Sequence, residues 1–449
     1  CNLSRYFRWR VDDVHPSSWD VWDHASGRNT TSSNTVMEPR GGANMHQSGT
    51  ISIKRHENVL SNVELPPSKS HLIRWLLLAA QTEGKVRLSG VKGASDDAIT
   101  MLKAIQQLGV NIDIESDSWT VHGVGPHGFQ VPLNPIQANN SGTSFRLLGV
   151  ALTRIGEPVI VDGDQSLRER FWHPFWDSLR VISKLENNSL PVTIKGPIVV
   201  RNITLDVSRT SQYLSALLLS MPALEKPIEL SIEGSPVSQR HASLSFDLAA
   251  LCGSENKLEN TTLKPWNCQA PSNVEIPPDA SHIAFWKLYE NLHNCTLNIP
   301  TVNDEDALGA EILFNLDFKI KQKISLRDAN DLITPLAASM AIGGGGEITN
   351  VAHARHKETN RIEKTVELLS YFSIKATATK DGLIVEGGQS PVKPSLKVPT
   401  FGDHRMQMTA VVLASMVGAD IEGGELHRVS FPKFLDFFTH DVRSVHPND

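Results

Sequence analysis

The hydrophobic and polar positions of the chain repeat one unit six times from Thr50 onward. In each unit, a polar or glycine-containing start opens an almost wholly apolar helix, and a short turn then leads into a β-rich stretch. Helices that are apolar on all sides must be buried, so the β-rich stretches predict sheets that cover them. The pattern therefore predicts an α/β fold. The six units begin at Ser68, Ser141, Thr210, Asp279, Asn330 and Gly402.

Second helices with a single apolar face are predicted between several units. One is SDDAITMLKAIQQLG from Ser95, and another is KETNRIEKTVELLSYF from Lys357. The apolar positions of the latter fall on one stripe at helical spacing. They are Ile362, Val366, Leu369 and Phe372.

Composition narrows the class of protein. With 449 residues, 40% hydrophobic and 20% charged, the chain is long enough for two or three ordinary globular domains. A net charge of −6 gives no reason to expect nucleic acid or an anionic membrane as partner. The four cysteines form no CxxC pair, so the sequence indicates neither a zinc site nor a disulfide framework. This cysteine usage fits a protein of a reducing compartment. No apolar run reaches the roughly 18 residues of a membrane span.

The first 48 residues differ from the rest. They contain three tryptophans, with no helical or strand period that would bury them, and a cluster of Ser, Asn and Thr. They lack the apolar segment of a secretory signal. We expect residues 1–48 to be a disordered tail or an extension of the reading frame.

The predicted helix starts carry cations as well as capping residues. Ser, Thr, Asp and Asn at these positions are residue types that cap a helix. Positive charge in a first turn opposes the helix dipole, so capping does not explain Lys69, Arg146 or Arg405. Lys357 and Arg361 give the strongest indication of an anion site. They are expected on one helix face at i, i+4, where like charges repel. The repulsion between these cations and their unfavourable interaction with the helix dipole would be offset by a bound anion. The pattern therefore predicts a cleft for small anions.

Seven motifs, in order, resemble the 5-enolpyruvylshikimate-3-phosphate synthase family. They are SKSHLIR, NNSGTSFR, GDQSLRER, TSQYLSALL, DASHIAF, HARHKETNR and GDHRMQM. The resemblance implies a two-domain inside-out α/β barrel of the enolpyruvyl transferase type, with pseudo-threefold domains and helix N-termini facing the cleft. It also implies a first domain of residues 50–66 plus 278–449 and a second domain of residues 67–277.

The implied reaction transfers the enolpyruvyl group of phosphoenolpyruvate to the 5-hydroxyl of shikimate 3-phosphate and releases phosphate, without metal or organic cofactor. The matching phosphoenolpyruvate positions are Lys69, Gly142, Arg170, Gln212, Arg361 and Arg405. The matching shikimate 3-phosphate positions are Lys69, Ser70, Arg74, Thr210, Ser211, Gln212, Ser238, Asp331 and Lys357. The implied catalytic residues are Asp331, Glu358 and Lys69. Asp331 would accept the proton of the attacking hydroxyl. Glu358 would move a proton to and from the methylene carbon of phosphoenolpyruvate.

Two departures from the family pattern concern the site. A lysine is expected at Val429, and a tyrosine at His241. We expect Arg428 to replace the missing lysine in part.

Two alternatives stay open. One is enolpyruvyl transfer to UDP-N-acetylglucosamine, although SKSHLIR and the serine-rich TSQ turn favour the phosphorylated shikimate. The other is a divergent anion-binding homologue without activity. We expect a cytoplasmic monomer that binds its two small-molecule substrates and neither nucleic acid nor membrane.

Overall fold

The structure, a computed structural model, describes residues 49–170 and 172–445. The predicted tail, residues 1–48, lies outside the described residues. The helices are α1 (Lys69–Gln81), α2 (Asp96–Gln107), α3 (Gly142–Ala151), α4 (Gln165–Arg168), α5 (His173–Ile182), α6 (Gln212–Ser220), α7 (Gln239–Leu251), α8 (Ile283–His293), α9 (Ile333–Ile342), α10 (Arg361–Tyr371) and α11 (His404–Val417).

The strands are short and form five sheets among the described residues. They are β1 (Thr50–Ile53), β2 (Glu83–Ser89), β3 (Asn111–Ile114), β4 (Ser118–Val124), β5 (Ile136–Gln137), β6 (Val159–Asp162), β7 (Lys184–Glu186), β8 (Val192–Lys195), β9 (Asn202–Asp206), β10 (Ile228–Glu233), β11 (Thr262–Leu263), β12 (Asn273–Glu275), β13 (Gln322–Ser325), β14 (Gly345–Thr349), β15 (Ala376–Ala378), β16 (Leu383–Glu386), β17 (Ala419–Glu422) and β18 (Val442–Val445).

The sheet topology confirms the predicted repetition for the units that begin at Ser68, Ser141, Thr210 and Asn330, whereas the β-rich stretch predicted after the Asp279 helix forms no named strand. In three sheets, parallel strands flank a buried helix: β5 and β6 flank α3, β9 and β10 flank α6, and β13 and β14 flank α9. The second strand of each pair then joins an antiparallel neighbour, which is β8, β11 or β16. The strand after α1 follows a related plan, since β2 pairs parallel with β12 and antiparallel with β4. Each of these four units thus joins a buried helix to a small sheet of its own.

The buried apolar side chains form two clusters. One consists of residues between Leu72 and Ile276, and the other joins Ile51, Ile53 and Val63 to residues between Ala280 and Phe438. We call residues 50–66 plus 278–445 the first lobe and residues 67–277 the second lobe. These names follow the predicted domain boundaries, which stay a prediction.

The chain passes between the lobes twice, at neighbouring points. Pro67 and Pro278 form an antiparallel bridge. Ser68 N donates to Pro277 O at 2.8 Å, and Asp279 N donates to Pro66 O at 2.8 Å. The two crossings therefore form one short, hydrogen-bonded connection.

The predicted capping residues divide into two groups. Ser141 and Asp403 cap α3 and α11, because their side chains accept from Ser144 N and Arg405 N. Asn330 does not cap a helix, contrary to its residue type. It lies inside a 3-10 turn before α9, and its side-chain amide bonds to Ser238 instead.

Candidate active site

A cleft between the lobes is lined by the starts of buried helices from both of them. The second lobe supplies the first turns of α1, α3 and α6, and the first lobe supplies the starts of α10 and α11 and the turn before α9. All predicted site residues line this cleft except Arg74 and Arg405, which are buried and bond to residues that do. The structure thus brings the sequence-predicted set together in one place.

Arg361 lies at the centre of the first-lobe wall and contacts three carboxylates. Its Nη1 donates to Asp331 Oδ1 at 2.5 Å, and its Nη2 donates to Glu358 Oε2 at 2.8 Å. Its Nε donates to Asp403 Oδ2 at 2.8 Å. Burial alone would lower the pKa of Arg361, but the three carboxylates hold it well above its usual value. Arg361 therefore fixes the spacing of Asp331 and Glu358.

The predicted helical placement of Lys357 is wrong. Helix α10 begins at Arg361, because Asn360 acts as its N-cap and accepts from Glu363 N at 3.3 Å. Lys357 precedes the helix with an extended backbone, so the pair does not share a helix face at i, i+4. Lys357 still lines the cleft.

Arg405 approaches Asp331 from helix α11. Its Nη2 lies 3.4 Å from Asp331 Oδ2 and donates to Ser281 Oγ at 2.9 Å. Its Nε and Nη1 are buried without a hydrogen-bond partner among the described residues. Buried N–H groups are rarely left unpaired, so these two are suited to an anion.

Glu358 links the two walls of the cleft. Its Oε1 lies 3.7 Å from Nη2 of Arg170, which belongs to the second lobe. Arg170 is itself held by Asn140, whose backbone carbonyl accepts from Nη2 at 2.9 Å. The carboxylate of Glu358 thus lies between a first-lobe arginine and a second-lobe arginine.

The cleft-lining carboxylates of Asp331 and Glu358 are both ionised in this arrangement. Burial alone would raise the pKa of Asp331, but Arg405 and Arg361 hold it well below its usual value. Burial likewise opposes ionisation of Glu358, and Arg361 and Arg170 outweigh it, so the pKa of Glu358 is also well below normal. Each carboxylate is therefore unprotonated and able to accept a proton, and it retains that proton only when the cations beside it are neutralised.

The two lysines of the cleft differ in their surroundings. Lys69 Nζ donates to Asp97 Oδ2 at 3.0 Å. Burial alone would lower the pKa of Lys69, but the charges of Asp97, Asp331 and Glu358 together outweigh it and raise that pKa. Burial dominates at Lys357, and it lowers the pKa despite the nearby charge of Asp331. Lys357 is the lysine that loses its charge at the lower pH.

The second-lobe wall is built around Gly142 on α3. A Cβ atom at this glycine would lie 2.6 Å from Arg170 Nη1 and 3.2 Å from Arg146 Nη1, so a side chain here would displace a cation. Arg146 donates to Gln212 Oε1 at 2.7 Å and stacks over the Trp172 ring at 4.6 Å. Burial lowers the pKa of Arg146 to about 9, with a further contribution from Arg170.

Hydroxyl groups gather beside this wall. Ser211 Oγ donates to Ser238 O at 2.9 Å, and Thr210 Oγ1 accepts from Gln212 N at 3.2 Å. Three hydroxyl-bearing residues, Thr210, Ser211 and Ser238, therefore line one part of the cleft. Such groups suit the oxygens of a phosphate.

Arg74 is buried beneath this wall and has neutral partners. Its Nε donates to Ser245 Oγ at 2.7 Å, and its Nη1 and Nη2 donate to the carbonyls of Ser70 and His241. Burial lowers the pKa of Arg74 to about 10. Its positive charge is thus available to attract an anion placed near Ser70.

Sequence reasoning missed several residues that line the cleft, among them Asp97, His353 and His404. Burial lowers the pKa of His353 to about 4 and holds that of His404 well below normal, with Lys69 adding to the effect at His404. Both histidines lie in the quoted motifs HARHKETNR and GDHRMQM, so the motifs contained a signal for them. Asp97 resembled an ordinary acidic residue in the first turn of α2.

The two departures from the family pattern have different outcomes. His241 lines the cleft, and burial together with Arg74 lowers its pKa to about 4. Arg428 does not line the cleft, contrary to expectation. Its Nε lies 3.6 Å from Asp96 Oδ2 and 3.8 Å from Glu425 Oε2, and these acids hold it at the surface.

The arrangement can bind small anions and transfer protons between them and two carboxylates. Among the described residues, no group of His, Cys, Asp and Glu is placed to hold a metal ion. No helix in the described part of the chain is long and apolar enough to cross a membrane.

Comparison with known proteins gives a consistent result. The profile of the family described as EPSP synthase (3-phosphoshikimate 1-carboxyvinyltransferase) matches residues 53–306 and 313–438. A protein named 3-phosphoshikimate 1-carboxyvinyltransferase from Methanothermobacter thermautotrophicus is 28% identical over 414 residues, which cover 86% of this chain and 96% of that protein. One of the same name from Acetivibrio thermocellus is 28% identical over 415 residues, with coverage of 86% and 96%.

Solved structures share the fold. An EPSP synthase from Acinetobacter baumannii superposes with a TM-score of 0.69 at 22% identity, covering 89% of this chain and 100% of its own. The enolpyruvyl transferase NikO from Streptomyces tendae gives a TM-score of 0.68 at 14% identity, with coverage of 89% and 99%.

Proposed function

Since the chain belongs to the EPSP synthase (3-phosphoshikimate 1-carboxyvinyltransferase) family, we propose that its cleft residues carry the reaction of that family. The enzyme transfers the enolpyruvyl group of phosphoenolpyruvate to the 5-hydroxyl of shikimate 3-phosphate and releases phosphate. This step belongs to the shikimate pathway, which leads to chorismate and the aromatic amino acids.

The observation that carries the assignment is the pair of arginines around Asp331. Arg361 and Arg405 both contact this carboxylate, and Arg405 retains two buried N–H groups without partners among the described residues. Phosphoenolpyruvate brings a phosphate and a carboxylate, and Arg binds such groups through paired N–H donors. In our proposal, phosphoenolpyruvate binds between these arginines, Arg170 and Lys69, beside Gly142 and Gln212.

Shikimate 3-phosphate occupies the neighbouring part of the cleft. The hydroxyls of Thr210, Ser211 and Ser238 and the charge of Lys357 surround its phosphate in this assignment. Arg74 attracts its carboxylate near Ser70, and Gln212 lies between the two substrates. The acceptor hydroxyl then faces Asp331, which takes its proton.

Binding of phosphoenolpyruvate changes the protonation of the cleft. Its negative groups neutralise Arg361 and Arg170, the cations that hold the pKa of Glu358 low. The pKa of Glu358 therefore rises, and Glu358 gains the proton that it donates to the methylene carbon. The acceptor oxygen bonds to the adjacent carbon as Asp331 takes its proton. Glu358 then removes a proton from the methyl group formed in the first step, the carbon–carbon double bond re-forms as the carbon–oxygen bond to phosphate breaks, and phosphate leaves.

A single chain supplies both walls of the cleft, so a monomer is sufficient for this function. We include a cytoplasmic monomer in the proposal, and the thiols of Cys252 and Cys268, which are free and buried, are compatible with a reducing compartment. Sedimentation at several protein concentrations tests the monomer.

The test of the function is phosphate release from phosphoenolpyruvate. Release with shikimate 3-phosphate and none with UDP-N-acetylglucosamine is the expected result. Release only with UDP-N-acetylglucosamine would reassign the acceptor, and no release with either would favour an anion-binding homologue without activity.

A variant tests the role of Glu358. Glu358→Gln should abolish turnover and still bind shikimate 3-phosphate in calorimetry. Glu363→Gln, in the first turn of the helix that follows Glu358, is half-exposed and paired with Arg355; it is the matched control and should turn over normally. Full activity of Glu358→Gln would contradict the assignment.

A further inference from the structure

Helix α7 of the second lobe is capped by a residue of the first lobe. Its own N-cap residue, Ser238, makes no side-chain hydrogen bond to the first turn. Instead, Gln239 N donates to Asp328 Oδ1 at 2.6 Å. A carboxylate at this position accepts one of the otherwise unpaired N–H groups and matches the positive end of the helix dipole. The cap that normally comes from the same chain segment thus comes from across the cleft.

Ser238 is held in an unusual conformation beside this cap. Its φ of 53° and ψ of 42° place it in the left-handed region, which costs free energy for any residue other than glycine. Ser238 N donates to Arg327 O at 3.1 Å, and Ser238 O accepts from Ser211 Oγ at 2.9 Å. The strained backbone is therefore fixed by contacts to both lobes.

The same first-lobe segment also contacts the Ser238 side chain. Asn330 Nδ2 donates to Ser238 Oγ at 3.2 Å, and Asn330 directly precedes Asp331 in the chain. Arg327 Nη1 donates to Ser235 Oγ at 3.1 Å. Residues 327–331 therefore join the hydroxyl cluster of the second lobe to the carboxylate that faces the acceptor.

We propose that Asp328 is a positioning residue: by capping α7 from the first lobe, it sets the conformation of Ser238 and its distance from Asp331. The proposal rests on the proposed function, in which Ser238 contacts the acceptor phosphate and Asp331 takes the acceptor proton. Asp328 touches neither substrate in this assignment. Its effect reaches the reaction through Ser238 and through the spacing of the two walls.

The location of Asp328 makes the proposal testable without loss of the fold. Its side chain is only partly buried, and its hydrogen bond to Gln239 lies at the surface. Asp328→Ala removes the acceptor, whereas Asp328→Asn keeps an oxygen that can accept from Gln239 N and loses only the charge. Asp317→Ala is the matched control, because Asp317 is an exposed first-lobe acid whose side chain accepts from Lys319 N within its own loop.

The first measurement is hydrogen–deuterium exchange of the amides of residues 239–241 in the absence of substrate. Exchange should be about tenfold faster in Asp328→Ala than in the wild type, and Asp328→Asn should restore most of the protection. The control should exchange like the wild type. Unchanged exchange in Asp328→Ala would overturn the proposal.

The second measurement is binding of shikimate 3-phosphate by calorimetry, together with steady-state kinetics. We expect Asp328→Ala to weaken acceptor binding and raise its KM about five- to tenfold, with KM for phosphoenolpyruvate within twofold of the wild type. Faster exchange without weaker acceptor binding would also overturn the proposal, since the cap would not then position Ser238. A wild type that binds the acceptor without turnover would refute the proposed function while the exchange and calorimetry still decide the role of Asp328.

Discussion

Asp403 Oδ2 accepts a hydrogen bond from Arg361 Nε at 2.8 Å, and the side chains are 0% and 1% exposed. The same carboxylate accepts from Arg405 N through Oδ1 at 2.8 Å. One buried charge therefore orients the guanidinium of Arg361 and caps the helix that carries Arg405. Two cations that we propose to bind phosphoenolpyruvate therefore depend on a residue that does not line the cleft.

Asp403→Asn should lower both stability and activity. Removing one partner of a buried ion pair costs roughly 3–5 kcal/mol, and we expect about 3 kcal/mol here because Asp331 and Glu358 still pair with Arg361. Urea unfolding measures this loss, and kcat/KM for phosphoenolpyruvate should fall by more than about tenfold. Asp420→Asn, at an exposed acid, is the control and should stay within about 0.5 kcal/mol of the wild type. Equal stability of both variants would contradict the prediction.

Lys357 should set an alkaline limit for the acceptor. Burial lowers its pKa below 10.5, so its positive charge is lost as the pH rises through that lowered value. The pH profile of kcat/KM for shikimate 3-phosphate reports groups of the free enzyme. The value of kcat/KM should therefore decline at high pH, as Lys357 loses its charge. Lys357→Arg should move the decline to higher pH, because guanidinium stays charged. Lys364→Arg should leave the profile in place, and identical limbs for wild type and Lys357→Arg would refute the role.

Gly142→Ala should affect one substrate more than the other. The new methyl group would meet Arg170 Nη1 at 2.6 Å, and this flexible side chain would move away from Glu358. We expect kcat/KM for phosphoenolpyruvate to fall about tenfold, or about 1.4 kcal/mol, with KM for the acceptor within about threefold. Gly156→Ala, where a Cβ atom meets open space, is the control. Equal losses for both substrates would show that the wall as a whole had moved.

His353 should make the protein sensitive to acid. Its pKa is about 4 in the folded protein and 6.5 when unperturbed, so the unfolded chain binds the proton first as the pH falls. Its stabilising effect is complete above pH 6.5 and declines toward pH 4, by about 2 kcal/mol at pH 5. The loss of urea stability between pH 7 and pH 5 should shrink by this amount in His353→Gln. His127 is exposed, and the control variant His127→Gln should lose as much stability as the wild type between pH 7 and pH 5. The same loss in His353→Gln would contradict the prediction.

The sequence was informative where burial leaves few choices. A helix that is apolar on all sides has to be buried, so the six buried helices, and the strands that follow five of them, could be predicted from pattern alone. Cations at helix starts likewise indicated an anion site, because Lys69 and Arg405 there oppose the helix dipole.

The rest depends on contacts between distant segments. Asp331, Glu358 and Asp403 meet at Arg361 from positions up to 42 residues away, and no periodicity specifies that meeting. The start of α10 was misplaced because a local competitor, the Asn360 cap, determines where the helix begins. Arg428 was misplaced for a similar reason, since its acidic neighbours hold it at the surface.

The strands of one first-lobe sheet are synthesised at widely separated times. Strand β1 pairs with β17 and β18, whose residues are synthesised some 370 residues later. At a translation rate of roughly 5–20 residues per second, β1 stays unpaired for about 20–70 s before β17 and β18 are synthesised. The second lobe is continuous in sequence and can fold during that interval. Until β17 and β18 have been synthesised, both edges of β1 are unpaired and can pair with another chain.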